Sequence, residues 1–211
     1  MNSRKMHVFW LWALLASALG GCLIKFGCFE GTLRLYQLRY FTNLSNLLGL
    51  GYALCALCVP KADLRILRGV AVLALGVTAV VFHTLLASVF GPYVFPTVSW
   101  WGNLLVHTLT PGLMVGEWLL FRGEKGLRWY HPLIWLGFPA AYFAVTVCIA
   151  KLGILMPNSA TPYPYPFLDV WKLGWAVVGR NVILMGMGFL ALGYGLVGAD
   201  ALRRRNIKNS H

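Results

Sequence analysis

The sequence predicts an all-α polytopic membrane protein with about six transmembrane helices and both ends in the cytoplasm. Three observations lead there. The 211 residues are 59% hydrophobic and 11% charged, whereas a soluble domain is about 45–50% apolar and about 25% charged. Apolar runs at least as long as the roughly 17 residues needed to cross a hydrocarbon core recur six times. The basic residues behind the net charge of +12 stand at the ends of those runs, where they set topology and meet anionic headgroups. That placement argues for membrane lipids as partners and against nucleic acid.

The runs fall at about 8–26, 40–59, 69–90, 99–121, 133–150 and 173–199, within a single transmembrane domain over 1–211. The first follows Arg4-Lys5 and imitates a cleaved signal, with Ala16-Ser17-Ala18 as a cleavage-like site and Leu19 to Cys22 as a faint lipoprotein box. Its apolar character continues to Ile24, so a retained helix is expected. The connections are Gly27 to Arg39, Pro60 to Arg68, Gly91-Pro92, Arg122 to Pro132 and Lys151 to Lys172. In the last, prolines at 157, 162, 164 and 166 forbid a regular helix, while Tyr163, Tyr165 and Phe167 suit the interface. This loop is expected to cover the outer mouth of a cavity. No internal repeat is visible, so the inverted repeats of many secondary transporters are not evident.

Orientation follows from the Lys and Arg count. Alternating sides from a cytoplasmic N-terminus gives twelve on that side and five on the other, with Arg180 left inside the last run. The excess selects an N-in, C-in arrangement, in the cytoplasmic membrane if the source is bacterial. Cysteines at 22, 28, 55, 58 and 148 lie in or beside apolar runs. The isolated pair Cys55 and Cys58 lacks the second ligand pair of a zinc site, so all five read as small membrane residues.

Polar side chains inside hydrocarbon are expensive and face the bundle interior or a wet path, so function is sought among them. In the second run Thr42, Ser45, Asn46 and Gly49 recur at helical spacing on one face. In the fourth, Asn103, His107, Thr110 and Pro111 do the same, with Glu117 further down. At about 1.5 Å per residue His107 lies about 12 Å below the non-cytoplasmic surface, and His83 and Arg180 about 10 Å below it. Thr42, Ser45, Asn46, His83, Asn103, His107 and Arg180 are therefore expected in the outer half of the bilayer, with Asp169 above them.

This set admits several uses. A hydroxyl paired with an imidazole base is a nucleophile in waiting. The same residues serve equally as hydrogen-bonding glue between helices or as the lining of a ligand or ion path. Spacing alone leaves these open. No motif such as H-E-x-x-H is present, so no metal or other cofactor is expected.

Three patches narrow the choice: Arg39-Tyr40-Phe41-Thr42-Asn43-Leu44-Ser45-Asn46, Trp101-Gly102-Asn103-Leu104-Leu105-Val106-His107-Thr108 with Pro111 and Glu117 beyond, and Tyr165-Pro166-Phe167-Leu168-Asp169. They resemble the androgen-induced gene and androgen-dependent TFPI-regulating protein family, especially its bacterial branch. The resemblance implies six helices and intramembrane hydrolysis of fatty acid esters of hydroxy fatty acids, by a threonine in the second segment and a histidine in the fourth. By motif these are Thr42 and His107. The animal pattern Trp-Leu-Asn-His-x-x-His-Thr-Thr departs here at Leu104 and Leu109, and Pro111 stands one place nearer the histidine.

The expectation is an intramembrane lipid ester hydrolase, with Thr42 as nucleophile and His107 as base. Asn103, Asn46 and Arg180 are the candidate oxyanion donors, and Ser45, His83 and Asp169 are further candidates to line the site. The alternatives are a non-catalytic membrane protein that binds or transports a lipid or small molecule, and an acyltransferase using the same pair. Oligomeric state is not legible, since small-residue pairs such as Gly195 and Ala199 serve contacts within or between chains alike.

Overall fold

The computed structural model of the chain describes residues 3–87, 95–121, 123 and 125–208, the side chains of 206–208 excepted. The Gly91-Pro92 connection, the end of the third run at Phe90 and the loop residue Arg122 lie outside the described residues. The described residues contain helices and turns and no strand. Five helices are long and apolar enough to cross a membrane: Ser3–Lys25, Phe41–Cys58, Arg65–Leu86, His131–Lys151 and Val170–Arg205. The chain is an all-α, multi-pass integral membrane protein. It divides into two compact units, Met1–Lys125 and Gly126–His211.

In the first unit α1 (Ser3–Lys25) buries Leu11, Leu14, Ala18 and Cys22 along one stripe. It stops at Gly27, whose φ of 74° is left-handed. A Cβ there would sit 2.2 Å from the Thr32 carbonyl oxygen, so only glycine closes this turn. Then α2 (Phe41–Cys58) runs back and ends at Val59, which Pro60 pushes out of the helical region. Next, α3 (Arg65–Val81) continues without a break into a π-helical turn, Phe82–Leu86.

The fourth run starts at Thr97, whose side chain accepts from the Trp100 N–H at 3.2 Å, a normal N-cap. It is helical from Val98 to Leu120 in three pieces: α4 (Val98–Leu104), a π-turn (Leu105–Leu109) and α5 (Thr110–Leu120). None of these is long enough to span by itself.

Pro111 accounts for the break. It has no N–H, and its ring clashes with the carbonyl four residues back, so the chain inserts an extra residue ahead of it. The Thr110 N–H then reaches back to the Leu105 carbonyl.

The helices pack α1 on α2, α2 on α3, α3 on α5, and the fourth run back on α1, giving an up-down-up-down bundle. Glycine permits the closest approach. A Cβ on Gly21 would fall 2.7 Å from Val106 Cγ1, and one on Gly102 2.6 Å from Ile24 Cγ2. Small residues at such crossings replace the hydrophobic drive that is absent between helices in lipid.

The second unit holds α6 (His131–Trp135), α7 (Gly137–Lys151) and α8 (Val170–Lys208), the last kinked at Gly174, whose φ of 75° and ψ of 162° are not helical. Between α7 and α8 the proline-rich loop folds on itself, burying Tyr163, Tyr165 and Leu168. α8 runs nine residues past the expected end at Ala199. Asp200 accounts for part of this, accepting from Arg204 one turn on and from the Leu127 N–H, each at 2.8 Å, while basic residues suit a helix C-terminus. Large apolar side chains on α7 and α8, including Val145, Ile183, Leu184 and Met187, are exposed as lipid-facing residues are.

Candidate functional site

The polar face of α2 is its buried face. Thr42, Ser45, Asn46 and Gly49 lie inward, and the same stripe continues to Tyr52 and Ala53. Ser45 Oγ donates to the Phe41 carbonyl at 2.8 Å, bonding back to its own helix. Asn46 reaches across the bundle. Its Nδ2 donates to the Thr42 carbonyl at 2.8 Å and to the Val106 carbonyl at 3.0 Å. Pro111 makes that second acceptor available, because the Thr110 N–H is taken by Leu105 and residue 111 has no N–H to offer Val106. Asn46 therefore ties the turn of α2 that carries Thr42 to the π-turn that carries His107.

His107 is buried, and its Nδ1 lies 3.3 Å from the Asn103 carbonyl oxygen. A carbonyl only accepts, so the neutral ring holds its proton on Nδ1 and keeps Nε2 as a lone pair. Phe82 lies flat on the imidazole, with centroids 3.7 Å apart and planes 14° apart. His83, the next residue, accepts from or donates to Thr108 Oγ at 3.1 Å through Nε2. The two π-turns of the unit thus meet side by side, and such turns concentrate at functional sites.

Asn103 is buried with its side chain divided. Oδ1 accepts from Lys25 Nζ at 2.5 Å, and Nδ2 has no hydrogen-bond partner among the described residues. Asn46 Oδ1 is likewise without a donor. Asn43 Oδ1, beside Thr42, is also without a partner among the described residues, so three side-chain amide atoms are left at this end of the bundle for a ligand.

Thr42, Ser45, Asn46, His83, Asn103 and His107 belong to this first unit, and Arg180 and Asp169 to the second. Arg180 is exposed there. Asp169 is buried as the cap of α8, accepting from the Lys172 N–H at 3.2 Å, with Lys172 Nζ 4.0 Å away. All five cysteines are free, Cys22 buried and the other four exposed. Among the described residues no group of three or more His, Cys, Asp or Glu is placed to hold a metal ion.

Sequence reasoning missed two features. Lys25 entered only the charge count, though it ends α1 beside Asn103. The second is a polar cluster at the opposite end of the bundle, around the fully buried Glu117. Its carboxylate accepts from Tyr52 Oη at 2.7 Å and Arg68 Nε at 2.8 Å, and it meets His7 Nε2 at 2.9 Å. Arg68 also donates to the Glu117 and Phe121 carbonyls. Four helices contribute, one side chain each. Tyr52 was signalled by its place on the stripe of α2, whereas Arg68 read as a loop-end charge. Midway between the two ends Ser17 and Thr110 hydroxyls pair at 2.8 Å.

Comparison of the chain with protein-family models, with curated proteins and with solved structures yields no match.

Proposed function

We propose that the chain is an intramembrane hydrolase of lipid esters, lying N-in and C-in, with Thr42 as nucleophile and His107 as base. Thr42 Oγ attacks the acyl carbonyl while His107 Nε2 takes its proton. The oxyanion that forms accepts a hydrogen bond from Asn103 Nδ2. The alcohol leaves with the proton returned by His107, and water repeats the sequence on the acyl-threonine to release the acid.

The observation that carries this is the double service of Asn103. Its main-chain carbonyl holds His107 Nδ1, which leaves Nε2 basic, and its side chain keeps a buried donor without a partner among the described residues. Among the described residues of this unit it is the one buried side-chain amide donor left over, the unpartnered atoms of Asn43 and Asn46 being acceptors. The Asn46 bonds that join the Thr42 turn to the Val106 carbonyl add support.

The test is covalent. A fluorophosphonate probe applied to the detergent-solubilised protein is expected to label Thr42, identified by peptide mass, and to leave Thr42→Ala unlabelled. A wild-type chain that stays folded, binds lipid and never labels is a carrier instead.

A further inference from the structure

We infer that Lys25 is a positioning residue of this site: it fixes and polarises the Asn103 carboxamide so that Nδ2 serves as the oxyanion donor. The inference rests on the hydrolase function proposed above and adds a residue to it.

A carboxamide has an accepting end and a donating end of nearly the same shape, and a buried one must be told which way to face. Here Lys25 Nζ at 2.5 Å from Oδ1 decides it. The reversed amide would set an NH2 group against an ammonium, donor against donor. Lys25 thus commits Oδ1 to itself and leaves Nδ2, on the other side of the group, with no partner among the described residues.

The approach is built into the fold. Lys25 is the last residue of α1, and Gly102, the neighbour of Asn103, has no side chain to hold α1 away: a Cβ there would fall 2.6 Å from Ile24 Cγ2 and 3.7 Å from Lys25 Cε.

The consequence is electrostatic as well as geometric. A cation on the carbonyl oxygen of an amide draws electron density from its nitrogen and makes the N–H a stronger donor, since bonded dipoles reinforce one another in a low dielectric. The ester carbonyl carries little charge and the tetrahedral oxyanion a full one. The gain therefore falls on the transition state more than on substrate binding, so it acts on kcat and not on KM.

Purified wild type, Lys25→Met, Lys25→Gln and Lys25→Arg are compared on p-nitrophenyl octanoate in detergent, with the folded fraction measured by thermal unfolding. Loss of a whole oxyanion donor costs about 10²–10³ in kcat. Loss of the group that aims and polarises it is expected to cost about 10-fold or more, with KM within about 2-fold of wild type. Lys25→Arg, which keeps a cation on Oδ1, should recover most of the rate. Lys25→Met or Lys25→Gln turning over like wild type per folded molecule overturns the inference, as does a loss that Lys25→Arg shares in full. If wild type hydrolyses the ester and Thr42→Val does not, that failure belongs to Lys25 alone. A folded wild type that neither hydrolyses the ester nor labels removes the proposed function and the role of Lys25 together.

Discussion

The Asn46 side chain donates to the Val106 carbonyl at 3.0 Å, the carbonyl that Pro111 leaves without a main-chain donor. This pairing predicts coupling between residues on different helices. Asn46→Leu strands a buried carbonyl and should cost about 1–2 kcal/mol. Pro111→Ala restores an N–H where one was lacking, so Asn46→Leu should cost less in that background, with an interaction energy of about 0.5 kcal/mol or more. Chemical unfolding of the four proteins in detergent checks it. Strict additivity would mean that the two residues act independently.

The Glu117 cluster predicts a large and partly reversible loss. Glu117 is fully buried against Arg68, and removing one partner of such a pair leaves the other charge uncompensated, at about 3–5 kcal/mol. Glu117→Gln should therefore unfold far more readily than wild type. Glu117→Leu combined with Arg68→Leu should recover a substantial part, because both charges are gone. Tyr52→Phe removes one bond and should cost about 1 kcal/mol.

Much of this bundle was legible from helical spacing. The stripe Thr42, Ser45, Asn46, Gly49 on α2 and the stripe Asn103, His107, Thr110 on the fourth run need only a period of 3.6, and both face inward. The π-turn was not legible, because an inserted residue shifts the period locally and only Pro111 signals it. Lys25 and Arg68 were counted as topogenic charges. A charge at a run end reads the same whether it meets lipid headgroups or turns inward to a buried amide or carboxylate, and only tertiary packing separates the two. Asp169 is the converse case. A polar residue before an apolar run fits a site or a helix cap, and Asp169 accepts from the Lys172 N–H as a cap does.

Topology is open to direct measurement. Cysteines placed at Ala62 and Ser159, both exposed in connections between helices, should differ in a background without native cysteines. Ser159→Cys should react with an impermeant thiol reagent in intact cells and Ala62→Cys only after lysis. The reverse result would invert the orientation drawn from the charge count.

The connection between α2 and α3 predicts a pH dependence. Arg65 grips Asp63 through Nε and Nη2, each at 2.8 Å, and Lys125 lies 3.2 Å away. The Arg65 hydrogen bonds, with Lys125 adding to them, hold this carboxyl well below the usual carboxylate range. A group depressed in the folded state adds stability above its unfolded pKa of about 3.9 and loses it as the pH falls further. The difference in melting temperature between wild type and Asp63→Asn should thus be constant above about pH 5 and shrink toward pH 3. The carboxyl is exposed, so the effect should be small and weaken in salt. A difference that grows on acidification would reverse the sign.

The reacting pair gives the sharpest expectation. If Thr42 and His107 are nucleophile and base, Thr42→Val and His107→Ala should each abolish turnover of p-nitrophenyl octanoate, and the double variant should lose hardly more than either one, because residues that act as a unit lose their effect together. Two packing residues would behave otherwise, each removing a little stability, roughly additively, and leaving activity in proportion to the folded protein. Thr42→Ser separates these outcomes, since it keeps the hydroxyl and gives up a methyl group. A nucleophile should retain measurable turnover as serine and none as valine, whose shape is that of threonine without the oxygen. Burial sharpens the contrast, because Thr42 and His107 are each only 8% exposed and valine keeps the branched outline of threonine with a methyl group in place of the hydroxyl. Turnover by a well-folded Thr42→Val would therefore remove the threonine from the chemistry and leave His107 to activate another group.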